Sequence, residues 1–217
     1  EQSLAPLLPK GQPLSGLSAH EARQTRTFWV LVSAFFLMSA SVHGCLIHLV
    51  PLLTDRGVSP QLAAMATSLF GGALLIGRVG AGYLLDRFFA STVAVTFFCG
   101  ATLGLVLLWS GASGATAFFA AFCVGLGMGA EGDIIAYLIG RYFGLRSFSE
   151  IYGYAFGAFT LGGVVGPLLM GKAFDSTGSY TIGLGIFVVA SVVAASLMTR
   201  LGPYRTWEAT REAVAAL

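Results

Sequence analysis

The hydrophobic positions of this 217-residue chain come in long blocks, without the short alternation of amphipathic strands. Six blocks, at roughly 28–53, 61–85, 91–110, 114–140, 151–173 and 180–201, are separated by short polar connections. A hydrocarbon core about 30 Å thick takes about 20 apolar residues of helix, so the pattern predicts an all-α membrane protein with six transmembrane helices. Basic residues mark alternate ends of the blocks: Arg23 and Arg26 before the first, Arg87 after the second, Arg141 and Arg146 after the fourth, and Arg200, Arg205 and Arg211 after the sixth. Only Arg56 and Lys172 lie on the other side, so the positive-inside rule makes both termini cytoplasmic. Three regions follow: a cytoplasmic linker over 1–27, a six-helix bundle over 28–201 and a cytoplasmic tail over 202–217. Ser18 and Glu21 have capping-box spacing, which predicts a short amphipathic helix at the end of the linker. The chain starts at Glu1 and lacks a signal-peptide pattern, and it is expected to be part of a longer protein.

Composition supports the class: 56% of residues are apolar and 10% charged, with a mean hydropathy of +0.80, against a usual charged fraction of roughly 25%. A net charge of +2, spread along the chain, does not suit nucleic-acid binding. Cys45, Cys99 and Cys123 all fall within spans and read as small packing residues, not as a disulfide framework. The run GLGMGAEG at 125–132 is no nucleotide loop, because no strand precedes it and no phosphate reaches mid-bilayer. Neither a cofactor nor a metal is therefore expected. Glycine pairs four apart, Gly100 and Gly104, Gly125 and Gly129, Gly153 and Gly157, Gly162 and Gly166, read as faces where helices approach closely.

Three charges lie inside spans, where each costs about 2.5–3.5 kcal/mol on insertion scales and marks function by default: Arg78, Glu131 and Asp133. Arg78 precedes Asp86 by eight residues, and Asp133 precedes Arg141 by eight. At a rise of about 1.5 Å per residue both lie roughly 12 Å from the cytoplasmic end, which predicts a buried Arg78–Asp133 pair. Glu131 is about 200° of helix rotation from Asp133 and faces elsewhere. One of the two acids is a candidate proton carrier or counter-ion. His43, Tyr137, one turn from Asp133, and Tyr154 are candidate cavity residues, and Tyr152 reads as an interfacial anchor.

The stretch GRVGAGYLLDRF resembles the second-to-third helix signature of the major facilitator superfamily, with Gly77, Arg78, Gly82, Asp86 and Arg87 in register. RTFWVL after a basic linker is similar to the start of the seventh helix of that family, and the region from GMGAEGD to YAFGAF is similar to its tenth and eleventh helices. The resemblance implies the C-terminal six-helix half of a twelve-helix secondary transporter. It also implies alternating access, with proton symport or anion exchange of a small solute. Asp86 and Arg87 would form a cytoplasmic latch, and the N-terminus of the fifth span, with a Ser147–Glu150 capping box, would be the partner site for Asp86. In the oxalate–formate exchanger and monocarboxylate porter branch, the arginine matched by Arg78 contacts a substrate carboxylate, which points to an organic anion. The monocarboxylate porters have an acid where this chain has Leu74, and the oxalate exchangers have a lysine in the helix equivalent to the fifth span, which here carries none before Lys172, so oxalate itself is disfavoured.

The implied partners are the solute, protons, an N-terminal six-helix half on the same polypeptide or a second chain, and the lipid of a bacterial inner membrane. GASG at 111–114 imitates the serine motif of rhomboid proteases, but no histidine follows His48 to serve as base, so the chain is not read as an enzyme. The rival reading is a non-transporting receptor or scaffold with a transporter-like bundle.

Overall fold

In a computed structural model, residues 15–204 are described. Residues 1–14 and 205–217, which include the rest of the expected linker, most of the expected tail and Arg205 and Arg211, lie outside them. The described residues form α1 (Ala19–Arg23), α2 (Arg26–Asp55), α3 (Pro60–Leu85), α4 (Ala90–Trp109), α5 (Gly114–Phe143), α6 (Phe148–Thr177) and α7 (Thr181–Thr199). All but α1 are long and apolar enough to cross a membrane, and the chain is an integral multi-pass membrane protein.

Local chemistry sets the ends. Ser18 caps α1 with the expected box: its hydroxyl accepts from the Glu21 amide at 3.3 Å, and the Glu21 carboxylate accepts from the Ser18 amide at 2.7 Å. The Thr25 hydroxyl accepts from the Phe28 amide at 3.2 Å and donates to the Ala22 carbonyl at 2.7 Å, joining α1 to α2. Ser59 followed by Pro60 opens α3. The box expected at Ser147 and Glu150 does not form: Ser147 precedes α6 without a side-chain capping bond. Both α5 and α6 outrun their apolar blocks. Tyr142 and Phe143 continue α5 as buried residues, and Phe148 begins α6 three residues ahead of the block.

Packing reveals an internal symmetry. The most extensive interfaces are α2 with α6 and α3 with α5; α4 with α5, α4 with α7 and α2 with α7 follow. If α2–α4 and α5–α7 are taken as two three-helix units, first helices pack on second helices, and first on third, in both directions. The two units run in opposite senses across the bilayer, so they are inverted repeats. In this arrangement α2, α4, α5 and α7 form the body, while α3 and α6 flank it and are the least buried spans.

Glycine makes the two main interfaces close. A Cβ on Gly129 would strike the Leu74 backbone, one on Gly125 that of Phe70, and one on Gly77 that of Leu126, so α3 and α5 meet main chain to main chain. On the α2–α6 side, Gly162 abuts the Phe36 backbone and Gly166 that of Ala40. Among the described residues no helix packs on Gly153, Gly157 or Gly100, which face open space. Cys99 is likewise exposed, not packed, because it lies on the outer side of α4; Cys45 and Cys123 are buried.

The cytoplasmic end carries contacts that periodicity could not show. Gly16 and Gly144 form an antiparallel bridge, in which the Leu17 amide donates to the Phe143 carbonyl at 2.8 Å and the Leu145 amide to the Ser15 carbonyl at 2.9 Å. Gly144 has φ +78°, and a side chain on either glycine would collide with the opposite main chain. After α7, the Tyr204 hydroxyl accepts from the Ala90 amide at 2.6 Å, and the Tyr142 hydroxyl donates to the Gly202 carbonyl at 2.6 Å. The linker and the segment after α7 are thus both fastened to the end of α5.

Candidate functional site

Because Gly77 and Gly129 let α3 and α5 touch, the next positions toward the cytoplasm are held within side-chain reach. Arg78 and Asp133 form an ion pair there, Nε to Oδ2 at 3.5 Å. The depth match between the two helices therefore corresponds to a real contact, but the pair is not buried. The Arg78 side chain is 65% exposed and that of Asp133 37%, on the open side of the six-helix bundle. The contact uses Nε, and the terminal nitrogens of the guanidinium have no hydrogen-bond partner among the described residues. A planar fork with free donors, steadied from one edge by a carboxylate, can accept an anion from the open side.

Glu131 lies on the other face of α5, as the 200° separation requires. It is fully buried, and neither carboxyl oxygen has a hydrogen-bond partner among the described residues. It is four residues from Gly127, at which a Cβ would meet Ala101 of α4, so helical spacing directs it toward the α4 side. An ionised carboxylate there would be an uncompensated buried charge, which is strongly unfavourable.

His43 is half-buried where α2 meets α6. Its Nδ1 donates to the Ser39 carbonyl at 2.9 Å and lies 3.2 Å from the Ser39 hydroxyl, which itself donates to the Phe159 carbonyl at 2.7 Å. With Nδ1 engaged on a carbonyl, which only accepts, Nε2 is left as the acceptor. Tyr137 follows Asp133 by one turn, and its hydroxyl accepts from Arg141 at 2.9 Å; the Arg141 guanidinium also lies over its ring at 5.1 Å. Tyr154 sits by the linker helix, with the Arg23 guanidinium 5.2 Å from its ring centroid and Phe28 edge-on at 6.5 Å. The structure thus brings Arg78 and Asp133 together, stands Tyr137 below them, places His43 on the α2–α6 wall and sets Tyr154 at the cytoplasmic rim.

Among the residues of the signature, Gly77 has a packing role at Leu126, whereas Gly82 faces open space. Asp86 ends α3, and the Arg87 guanidinium lies 4.0 Å from the Tyr83 ring centroid. Glu150 is exposed in the first turn of α6. The expected approach of Asp86 to the start of α6 is not found: α3 packs on α5, with smaller contacts to α2 and α4, and has no packed interface with α6. The two flanking helices lie apart because the inverted repeat puts α2 and α5 between them.

Sequence reading also missed a row of rings. Phe148, Tyr152, Phe156 and Phe159 stack in succession along α6, with centroids 5.8, 5.4 and 5.5 Å apart and planes within 12°, 17° and 29° of parallel. Phe159 then meets the His43 ring edge-on at 5.7 Å. Tyr152 is a member of this stack. The spacing of four, four and three was the available signal; interfacial tyrosine statistics obscured it.

The model of the Major Facilitator Superfamily matches residues 29–215. Over 176 residues the chain is 26% identical to the nitrite extrusion protein of Bacillus subtilis, which covers 79% of this chain and 42% of that protein. Its fold is similar to that of the E. coli fucose:proton symporter, with a TM-score of 0.68 at 20% identity over 83% of this chain and 44% of that one. It is also similar to the POT family transporter PepTSo, with a TM-score of 0.71 at 16% identity over 84% of this chain and 39% of that one. The chain spans less than half the length of each of these proteins.

Proposed function

We propose, from the premise that the chain belongs to the Major Facilitator Superfamily, that it is the C-terminal half of a secondary transporter for a small anion in a bacterial cytoplasmic membrane. The observation that carries this is Arg78: a cation inside a span, paired through one edge to Asp133 and open along the other. An arriving carboxylate or other planar anion takes the free donors, and Asp133 either yields its place or holds the arginine for it. The name of the Bacillus subtilis relative, an exporter of nitrite, agrees with an anionic cargo.

The second half is proposed from the flanking helices. On α3, Gly71, Gly72, Gly80 and Gly82 have nothing within 4 Å of an added Cβ, and on α6 the same holds for Gly153 and Gly157. Lipid needs no glycine, whereas helix contacts within a bilayer are rich in it, so these faces suit another six-helix half. Alternating access of the two halves then exposes Arg78 first to one side and then to the other. Asp86 and Arg87 at the end of α3, with Glu150 at the start of α6, face that second half as its cytoplasmic latch. Proton symport and anion exchange differ in whether Glu131 changes its protonation during the cycle.

The test is uptake of radiolabelled anions by the native protein in proteoliposomes. Replacing Arg78 with lysine keeps the charge and removes the fork, and uptake is expected to fall by about tenfold or more, the worth of a charge-assisted hydrogen bond. Uptake by R78K equal to that of the native protein overturns the assignment. A protein that binds the anion and never moves it is a receptor.

A further inference from the structure

The stack on α6 and the ion pair on α3 and α5 are both exposed, and the helices that carry them meet where α5 ends and α6 begins. Asp133, Tyr137 and Gly140 recur at spacings of four and three, so they share one face of α5. A Cβ on Gly140 would lie 3.9 Å from the Phe148 ring, which places the foot of the α6 stack against the foot of that α5 face. Above this junction the two faces separate. One leads to Asp133 and Arg78, and the other leads along Tyr152, Phe156 and Phe159 to His43. Phe156 follows Phe148 by eight residues, as Arg78 and Asp133 each precede their helix-end charges by eight. All three are thus about 12 Å from the cytoplasmic end. The ring of Phe156 is 39% exposed, and that of Phe159 is half-exposed at the Ser39–His43 wall. A row of nearly parallel rings, exposed at Phe156 and level with an exposed cation on α3, is more than filler.

We propose that the anion taken by this half-site is a carboxylate on a flat aromatic body, with its charge at Arg78 and its ring laid against Phe156 and Phe159. The inference rests on the anion reading above and adds the body of the substrate to it. A saturated ring of the same size buries similar apolar area yet cannot stack in offset or edge-on geometry, so the preference is for planarity and not for hydrophobicity. The His43 imidazole, edge-on to Phe159 with Nε2 free to accept, closes the far end and suits a ring that carries a hydroxyl.

The experiment measures half-saturation of the purified native protein by benzoate, cyclohexanecarboxylate and acetate, read as ligand-induced thermal stabilisation. Benzoate is expected to bind about three- to tenfold more tightly than cyclohexanecarboxylate, the worth of an aromatic pair. The double substitution F156L and F159L is expected to erase that ratio and to leave acetate binding unchanged, which also shows that the variant is folded. Equal affinity for the two ring acids in the native protein overturns the inference, and this result needs no variant. A benzoate preference that survives the double substitution does the same. Acetate binding that persists in R78Q, or failure of all three acids to bind, removes the carboxylate reading itself and this inference with it. Loss of the ring preference alone leaves the anion reading standing.

Discussion

At the scale of residues, three charges inside one half-bundle have three different settings. Arg78 is an open cation, Asp133 its half-exposed partner and Glu131 a sealed carboxyl group with no partner among the described residues. That all three are inside spans was legible from the sequence, because an ionisable residue in a hydropathic block stands out. The depth match of Arg78 with Asp133 was also legible, since helical rise converts residue count to height. The difference between the two acids in burial was not, because it depends on which neighbours each face of α5 meets. Glu131→Gln keeps the shape and removes the titratable proton. If Glu131 carries the coupled proton, uptake driven by a pH gradient is expected to be largely lost in this variant while counterflow of the anion persists. Unchanged gradient-driven uptake would assign the proton elsewhere or the cycle to exchange.

At the scale of elements, the α3–α5 contact and the α1 strap each rest on small features of sequence. Gly129→Val would place its side chain against the Leu74 main chain, which has no rotamer to adjust. Overpacking of this kind costs about 1–3 kcal/mol; the melting temperature is expected to drop, and anion affinity with it, since the same contact sets Arg78 beside Asp133. A melting curve and a binding isotherm on one sample check both. In α1, the backbone amide and hydroxyl of Ser18 hold the Glu21 carboxyl below its ordinary range. A depressed carboxylate pKa means that the capping contribution is complete above the ordinary value of about 4.3 and is lost as pH falls through the lower, folded value. Protection of the α1 amides, measured against their intrinsic exchange rate at each pH, should therefore fall only below that ordinary value, and Ser18→Ala should lower it at neutral pH. The Ser18 box was readable from spacing alone; the same spacing at Ser147 and Glu150 failed, because a cap also needs extended backbone, and Ser147 has ψ 35°.

At the scale of the whole molecule, the inverted repeat makes α3 and α6 equivalent flanks with bare glycine faces. Val79 on α3 is 76% exposed. In the full transporter a Val79→Cys variant is expected to react with a maleimide at least about tenfold more slowly than in this half alone in detergent, as burial in a helix interface requires. Equal rates would leave the α3 face to lipid. The six spans, their expected orientation and the height of each charge were legible along the chain, because hydropathy, positive-inside bias and helical rise are properties of position in it. Packing settled the rest: Arg78 is open while Glu131 is sealed, Gly77 and Gly129 meet a neighbouring helix of this half while Gly82 and Gly153 face open space, and four rings on α6 stack toward His43. Those outcomes depend on which helix faces meet, and the periodicity of one helix does not contain the identity of its neighbour.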